Sequence, residues 1–367
     1  MTVVLSLAAV AFDLPHRLIH PYADQSFATA LAAIALAWML HAALLLPLEI
    51  IGGLVVVHES PGVLRWLASW LRGITVQWIW FALAAALLLR TAQQFGLTKA
   101  LMVFLLLQLV LLSRQGLIAW LVGGLDVRNP SAALAEAATE SGVAPAIVRE
   151  VASDEPSFVG AWAGMDTRQL WVPKRWVEEL APTELRAAIA RRVGVRALGL
   201  RRRGVLVAVA WNTLGFALAS AAPRADLVTA AGFLTTLAWF TLWSFVGVLV
   251  LPSLSRPAVF AADRWARRYH DPIVVASTIT RLDSWQDDEA ERGASVEAIF
   301  HPVPARGARL RALAAQEQPT ATGTFASGAW HATRMMLYLS WAGLGGLSRA
   351  VHCNIGRPAV WVMFPGD

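Results

Sequence analysis

The side chains in this sequence that could do chemistry are few, and most stand alone. Arg191 and Arg192, with Arg196 a turn further on, could hold a phosphate or carboxylate through charged, forked donors. Their plainer role is to solvate a helix face or to pair with Asp263 and the region of Glu184. His41 and Glu49 lie inside a long apolar run, where ionisable groups are costly and often functional. A neutral His41 could ligate haem or another tetrapyrrole axially; packing with a hydrogen bond to a neighbouring helix is the competing role. His16 and His20 have the i, i+4 spacing of a helical metal pair, but Pro15 and Pro21 bracket them and disfavour one continuous helix. His331, His352 and Cys353 could converge on a metal, though no C-x-x-C or H-x-x-H spacing ties them together. Asp287, Asp288, Glu289 and Glu291 could take calcium, yet they lack the EF-hand pattern and its glycine and read as a solvated loop. There is no Gly-rich phosphate loop and no local signature of a Ser/His/Asp triad.

The elements that must position these residues are dominated by membrane-length apolar blocks. Of the residues, 57% are apolar and only 15% charged, against about 25% charged in a soluble domain; the mean hydropathy is +0.53. Crossing a bilayer takes about 20 apolar residues. Blocks from Phe27 to Val57, Trp70 to Leu89, Ala100 to Gly124, Gly204 to Ala222 and Leu227 to Leu251 meet that length, which predicts five spans. Ser113, Arg114 and Gln115 interrupt the third, so it is bent or lines a protein interior. The apolar run Met1–Phe12 lacks a basic lead and a cleavage site and is not read as a signal peptide. After Ser60-Pro61, the pattern from Val63 to Arg72 fits either a basic amphipathic helix in the interface or the first turns of the second span. A lone Cys353 excludes an intramolecular disulfide.

The formal charge of +6 is placed for a membrane, not for nucleic acid. Arg201, Arg202 and Arg203 abut the fourth span, and Arg256, Arg264, Arg267 and Arg268 follow the fifth. By the positive-inside rule the polar regions are cytoplasmic, with Arg90 and Lys99 as a minor contrary pair, and anionic lipid suffices as partner for the charge. The organisation read from this is a membrane region over 1–125, a polar domain in two parts over 126–203 and 253–317, a transmembrane hairpin over 204–252, and a tail over 318–367. In the polar domain, helices are expected over Ser131–Gly142, Pro182–Leu198 and Ala258–Tyr269. Short strands are expected over Ser157–Ala163 and Gln169–Val172, around Gly164-Met165-Asp166. In the tail, Met335–Leu347 is too short to span easily and is expected to be buried or re-entrant.

Four segments in this order resemble the HtpX-like and CAAX prenyl endopeptidase family of membrane zinc metallopeptidases. That family places N-A-x-A-x-G on a strand; here stands Gly160-Ala161-Trp162-Ala163-Gly164. Its helix E-L-x-A-V-L-A-H-E-L-G-H aligns without a gap on Glu184-Leu185-Arg186-Ala187-Ala188-Ile189-Ala190-Arg191-Arg192-Val193-Gly194-Val195. After a transmembrane hairpin, S-R-x-x-E-x-x-A-D aligns on Ser255 to Asp263, and His301-Pro302 with Arg309 to Leu313 resembles a later H-P…R-φ-x-x-L element. The resemblance implies a mainly α polytopic membrane protein with a small α+β metallopeptidase-like cytoplasmic domain. It also implies a zinc site, and that site is missing. A catalytic zinc needs three protein ligands and an open position, and H-E-x-x-H supplies two imidazoles with a general base between them. Arg191, Arg192, Val195 and Val259 occupy the ligand and base positions, while Glu184, Gly194 and Asp263 remain. No zinc and no other cofactor is therefore expected, apart from the tetrapyrrole contact open to His41.

The tryptophans, including Trp66, Trp70, Trp78, Trp80, Trp120, Trp211, Trp239 and Trp243, cluster in or near span ends. Interfacial anchoring accounts for most of them, while Trp66 and Trp70 also suit partner contacts. The reading is a pseudopeptidase acting as structural or accessory subunit or adaptor of a membrane complex, in the inner membrane of a bacterium. Its partners would be lipids, other membrane subunits and an uncleaved peptide segment added at a strand edge. Two alternatives stay open: a tetrapyrrole- or quinone-associated subunit of a photosynthetic or respiratory assembly, and an active enzyme with an unrecognised site.

Overall fold

The computed structural model describes residues 1–19, 26–55, 62–153, 158, 160–164, 168–252, 256–285, 290–293, 295–297, 303–315 and 330–343, with the side chains of 330 and 331 left aside. The chain divides into two compact units, 1–114 with 208–247 and 336–359, and 115–207 with 248–335 and 360–367.

The first unit is helical. Short helices α1 (Thr2–Ala11) and α2 (Leu14–Leu18) precede the long α3 (Phe27–Ile50), which continues through a π-turn to Val55. Ser26 caps α3 by accepting the Thr29 N–H, while the Thr29 hydroxyl accepts from the Ser26 N–H. Helix α4 (Val63–Ser113) carries the second and third expected apolar blocks in one run of 51 residues. The second and third predicted spans are joined without a loop, and a single residue, Gly96 (φ 77°, ψ 178°), breaks the helix between them. That backbone conformation is essentially restricted to glycine. Among the described residues four helices are long and apolar enough to cross a membrane: α3 with its π-turn, α4, which holds two apolar blocks about Gly96, α9 (Leu200–Ser220) and α10 (Ala230–Val250). The residues from Val63 to Arg72 are the first turns of α4, continuous with the span that follows. As expected, the apolar stretch breaks again where Arg114 leaves the helical region ahead of α5 (Gln115–Gly123).

Aromatic rings fill this unit. Phe104 stacks on Phe216 at 4.1 Å, and Phe240 meets both edge-on. Trp211 and Trp243 stack on each other at 4.6 Å, and the Trp243 indole donates to the Trp211 carbonyl. The pair packs α9 against α10. The tail helix α14 (Trp330–Leu339) passes into the same core: Met336, Leu337, Tyr338, Leu339 and Trp341 are wholly buried. Its polar atoms are matched, with Tyr338 Oη donating to Leu111 O at 2.7 Å and Asn212 Nδ2 to Met336 O at 2.9 Å.

The second unit is α+β. Its sheet has the order β1-β2-β4-β3, from β1 (Asp126–Arg128), β2 (Val148–Ala152), β3 (Ala161–Ala163) and β4 (Gln169–Pro173). The expected hairpin is β3 with β4, paired antiparallel as Ala161 with Trp171 and Ala163 with Gln169; β2 runs parallel to β4. Helices α6 (Ala132–Glu140), α7 (Lys174–Glu179), α8 (Pro182–Ala197), α11 (Arg256–Arg267), α12 (Pro272–Ser284) and α13 (Arg306–Ala314) complete it. Its core runs from Leu134 and Val148 through Trp162, Leu170 and Trp176 to Leu185.

Candidate functional site

Helix α8 begins at Pro182, and Glu184 turns back to accept the Ala181 N–H at 3.0 Å. The same carboxylate accepts from Ser277 Oγ at 2.5 Å and from Arg281 Nη1 at 3.1 Å. Burial pushes its pKa up, but the bonds from Ser277, Ala181 and Arg281 outweigh burial and hold it below the ordinary value. Glu184 is thus a fastener between α8 and α12. Nearly three turns further on, Gly194 faces Trp265 of α11, whose ring atoms would lie 2.7–2.8 Å from a Cβ at that position. Only glycine lets the two helices approach this closely.

Between those two points lie Arg191 and Arg192, which the resemblance aligns with a zinc ligand and the base. Arg191 is 1% exposed, and its Nε donates to Asp263 Oδ1 at 2.6 Å. Arg309 of α13 grips the same carboxylate as a fork, Nε to Oδ2 and Nη2 to Oδ1, both at 2.9 Å. One buried aspartate therefore joins α8, α11 and α13. Burial acts to raise its pKa, and the two guanidiniums more than reverse that, leaving it below the usual carboxylate range. The arginines differ from each other. Burial lowers both, but the forked contact carries Arg309 above its ordinary value, whereas Arg191, opposed by the like charge of Arg309, falls to about 10. Both remain protonated at neutral pH.

Arg192 is also buried, with its guanidinium over the Trp176 ring at 5.3 Å and its carbonyl accepting from Trp162 Nε1 at 2.6 Å. Burial and then the charges of Arg191, Arg309 and Arg334 drive its pKa well down. Asp283, 2% exposed, is pushed up by burial, and its Oδ2 has no hydrogen-bond partner among the described residues. Arg196 lies over Trp162 at 5.0 Å. Val195 and Val259 belong to the apolar core, 2% and 0% exposed. Tested against zinc, this donor set does not fit. Guanidiniums held protonated have no lone pair to give, and valine has no donor atom. Among the described residues no three His, Cys, Asp or Glu side chains gather as a metal site.

The other predicted residues fall in separate places. Glu49, 2% exposed, accepts the Trp70 indole N–H, and Trp66 stacks on Trp70 at 6.3 Å. These three are brought together; His41 instead lines a cavity in the first unit. His16 pairs with Asp13 at 2.9 Å in α2, which ends at Leu18. The His331 side chain, His20, His352, Cys353, the His301-Pro302 pair and the acidic Asp287–Glu289 run lie outside the described residues, while Glu291 is paired with Arg311. Gly160, where the resemblance puts an asparagine, has φ 57° and the Trp171 carbonyl 2.1 Å from a would-be Cβ. β3 is the last strand of the sheet, yet its three residues are each 5% exposed or less.

The pairing of Arg191 with Asp263 was open to sequence reading, but Arg309 as the second partner was missed. Arg309 sits in a quoted motif, but nothing local joins it to Asp263, 46 residues away. Arg201, counted as a basic flank, is 2% exposed and donates to Gln115 Oε1 and the Gly164 carbonyl. Likewise Arg256 pairs with Glu297. Part of the charge assigned to lipid is therefore spent inside the protein.

The solved structures include a match to this arrangement, the crystal structure of S. mikatae Ste24p, with a TM-score of 0.68 over 84% of this chain and 82% of that one, at 14% identity. No protein-family model matches the sequence, and no curated protein does. At that identity the likeness is one of fold. The chain is an integral membrane protein with a Ste24p-like membrane metallopeptidase fold, mainly helical with a small four-stranded sheet.

Proposed function

We propose that this chain is a pseudopeptidase, a metallopeptidase fold that works by binding, as a structural or accessory subunit or adaptor of a membrane protein complex. The observation that carries the reading is the buried Arg191–Asp263–Arg309 ion-pair cluster, together with Val195 and Val259 in the apolar core. In the alignment the resemblance gives, Arg191, Val195 and Val259 stand where the peptidase motif has metal ligands, and Arg192 stands where it has the base. The Ste24p likeness supports the frame, and the motif order agrees with it. The reading places the second unit in the cytoplasm of a bacterial cell, on the strength of Arg202, Arg203, Arg267 and Arg268 beside the hairpin. Elemental analysis of the full chain in mild detergent, with a cleavage assay on a prenylated CAAX peptide, tests the proposal. Zinc far below one per chain, no cleavage and copurification of a stoichiometric membrane partner are expected. Stoichiometric zinc with zinc-dependent cleavage would overturn it.

A further inference from the structure

The first unit contains a cavity of about 310 Å³ between α1, α2, α3 and α10, closed on one side by Phe81 of α4. Its walls are mostly aliphatic, among them Leu5, Leu14, Leu44, Leu234 and Leu237. Two donors in the lining have no hydrogen-bond partner among the described residues. They are the indole N–H of Trp38, 5% exposed, and the hydroxyl of Thr2, 4% exposed. Thr241 also lines the cavity, but its hydroxyl is already given to the Leu237 carbonyl at 2.8 Å. The Trp38 ring stacks on Phe81 at 5.8 Å and 24°, which makes a flat aromatic wall. His41 lies one turn further along α3 in the same lining.

Depth decides what could satisfy these donors. The α3 span runs from Phe27 to Val55, so its middle is His41, and Trp38 lies within about 5 Å of that middle along the axis. The hydrocarbon of a bilayer is about 30 Å thick, so phospholipid esters and head groups sit some 15 Å away. An acyl chain reaching this depth brings no acceptor. Water is scarce there, and a polar group without a partner is costly. The missing group must be an acceptor carried on a body that dissolves in hydrocarbon and can lie against an aromatic wall. The volume is at the lower end of that usual for small-molecule sites, enough for a substituted ring and the start of its tail.

We propose that this cavity binds a lipid-soluble quinone, its ring carbonyls accepting from Trp38 and Thr2 and its ring lying along Trp38 beside His41. The test uses the full chain in phosphatidylcholine nanodiscs, with a benzoquinone bearing a ten-carbon tail as probe and decylbenzene as the carbonyl-free control. Saturable quinone binding is expected, with decylbenzene at least tenfold weaker. Trp38→Phe, which keeps the ring and removes the N–H, should weaken quinone binding about threefold to tenfold. Ala37→Phe, which fills the cavity from its wall, should abolish binding while leaving the thermal unfolding midpoint in place. If Trp38→Phe does not fold, Ala37→Phe carries the test alone. No saturable binding, equal affinity for decylbenzene, or quinone binding that survives Ala37→Phe would overturn the proposal. Either result leaves the zinc and cleavage assays of the second unit unaffected.

Discussion

Asp263→Asn removes one charge and almost no volume from the centre of the second unit. In the native protein this carboxylate, 1% exposed, is shared by Arg191 and by both arms of Arg309. Removing one partner of a buried pair costs about 3–5 kcal/mol, because the charge left behind stays out of water. The asparagine carbonyl can still accept one N–H, which places the loss near the low end, about 3 kcal/mol. For a unit of about 150–250 residues each kcal/mol moves the unfolding midpoint by about 2–4 °C, so a fall of roughly 6–12 °C is expected. Scanning fluorimetry of both proteins in the same detergent measures it. The pH dependence supplies a second readout. The folded pKa of Asp263 lies below its ordinary 3.8, so its stabilisation is whole above that value and is lost as pH falls through the lower folded one. The gap between wild type and variant should stay constant from pH 8 to pH 5 and close only below about pH 4. A midpoint within 2 °C of wild type at neutral pH would refute the reasoning, as would a gap that closes near pH 6.

Three further substitutions probe the scaffold. Gly194→Ala forces a methyl into Trp265, so the second unit should lose about 1–3 kcal/mol, read from the same thermal scans. Gly96→Ala places a Cβ at φ 77° in otherwise open space; backbone strain alone should cost about 1–3 kcal/mol, and Gly96→Asn should cost as much, because asparagine's tolerance of positive φ is for the αL region and not for ψ 178°. Tyr338→Phe leaves the Leu111 carbonyl without its donor, and a loss of about 0.5–1.5 kcal/mol with faster proteolysis of the tail is expected.

What was legible in the sequence was whatever repeats locally or keeps a fixed spacing. The membrane helices were visible from composition, and helix α8 from Pro182 and the Glu184 capping residue. The β3–β4 hairpin showed in two short runs around the turn residues at Gly164, and the buried tail in a run too short to cross. Strands β1 and β2 escaped because each is short and lies among polar residues, so pairing at a distance, not pattern, defines them. The two apolar blocks on either side of Gly96 were visible in the sequence, but not that a single glycine breaks the helix between them. Arg201 and Arg256 were misassigned to lipid for a related reason. A basic residue beside a span looks the same in sequence whether it faces a head group or, like Arg201, bonds Gln115.

The residues that persist from the peptidase pattern and those that depart from it now divide by what they touch. Glu184 fastens α8 to α12, Gly194 admits Trp265 of α11, and Asp263 with Arg309 ties α11 to α13. All of these hold helices together, and none needs a metal to be useful. Arg191, Arg192, Val195 and Val259, which the resemblance aligns with the metal ligands and the base, belong to the same scaffold: two are aliphatic core, one is a second partner for Asp263, and one lies over the Trp176 face. Simple loss of a ligand would leave a polar hole, which is unstable because a buried unpaired group costs about 1–3 kcal/mol. Here Val195 and Val259 are packed into the core and Arg191 is bonded to Asp263. Filling of this kind stabilises a shape, and it makes the shape the property on which a binding role would rest.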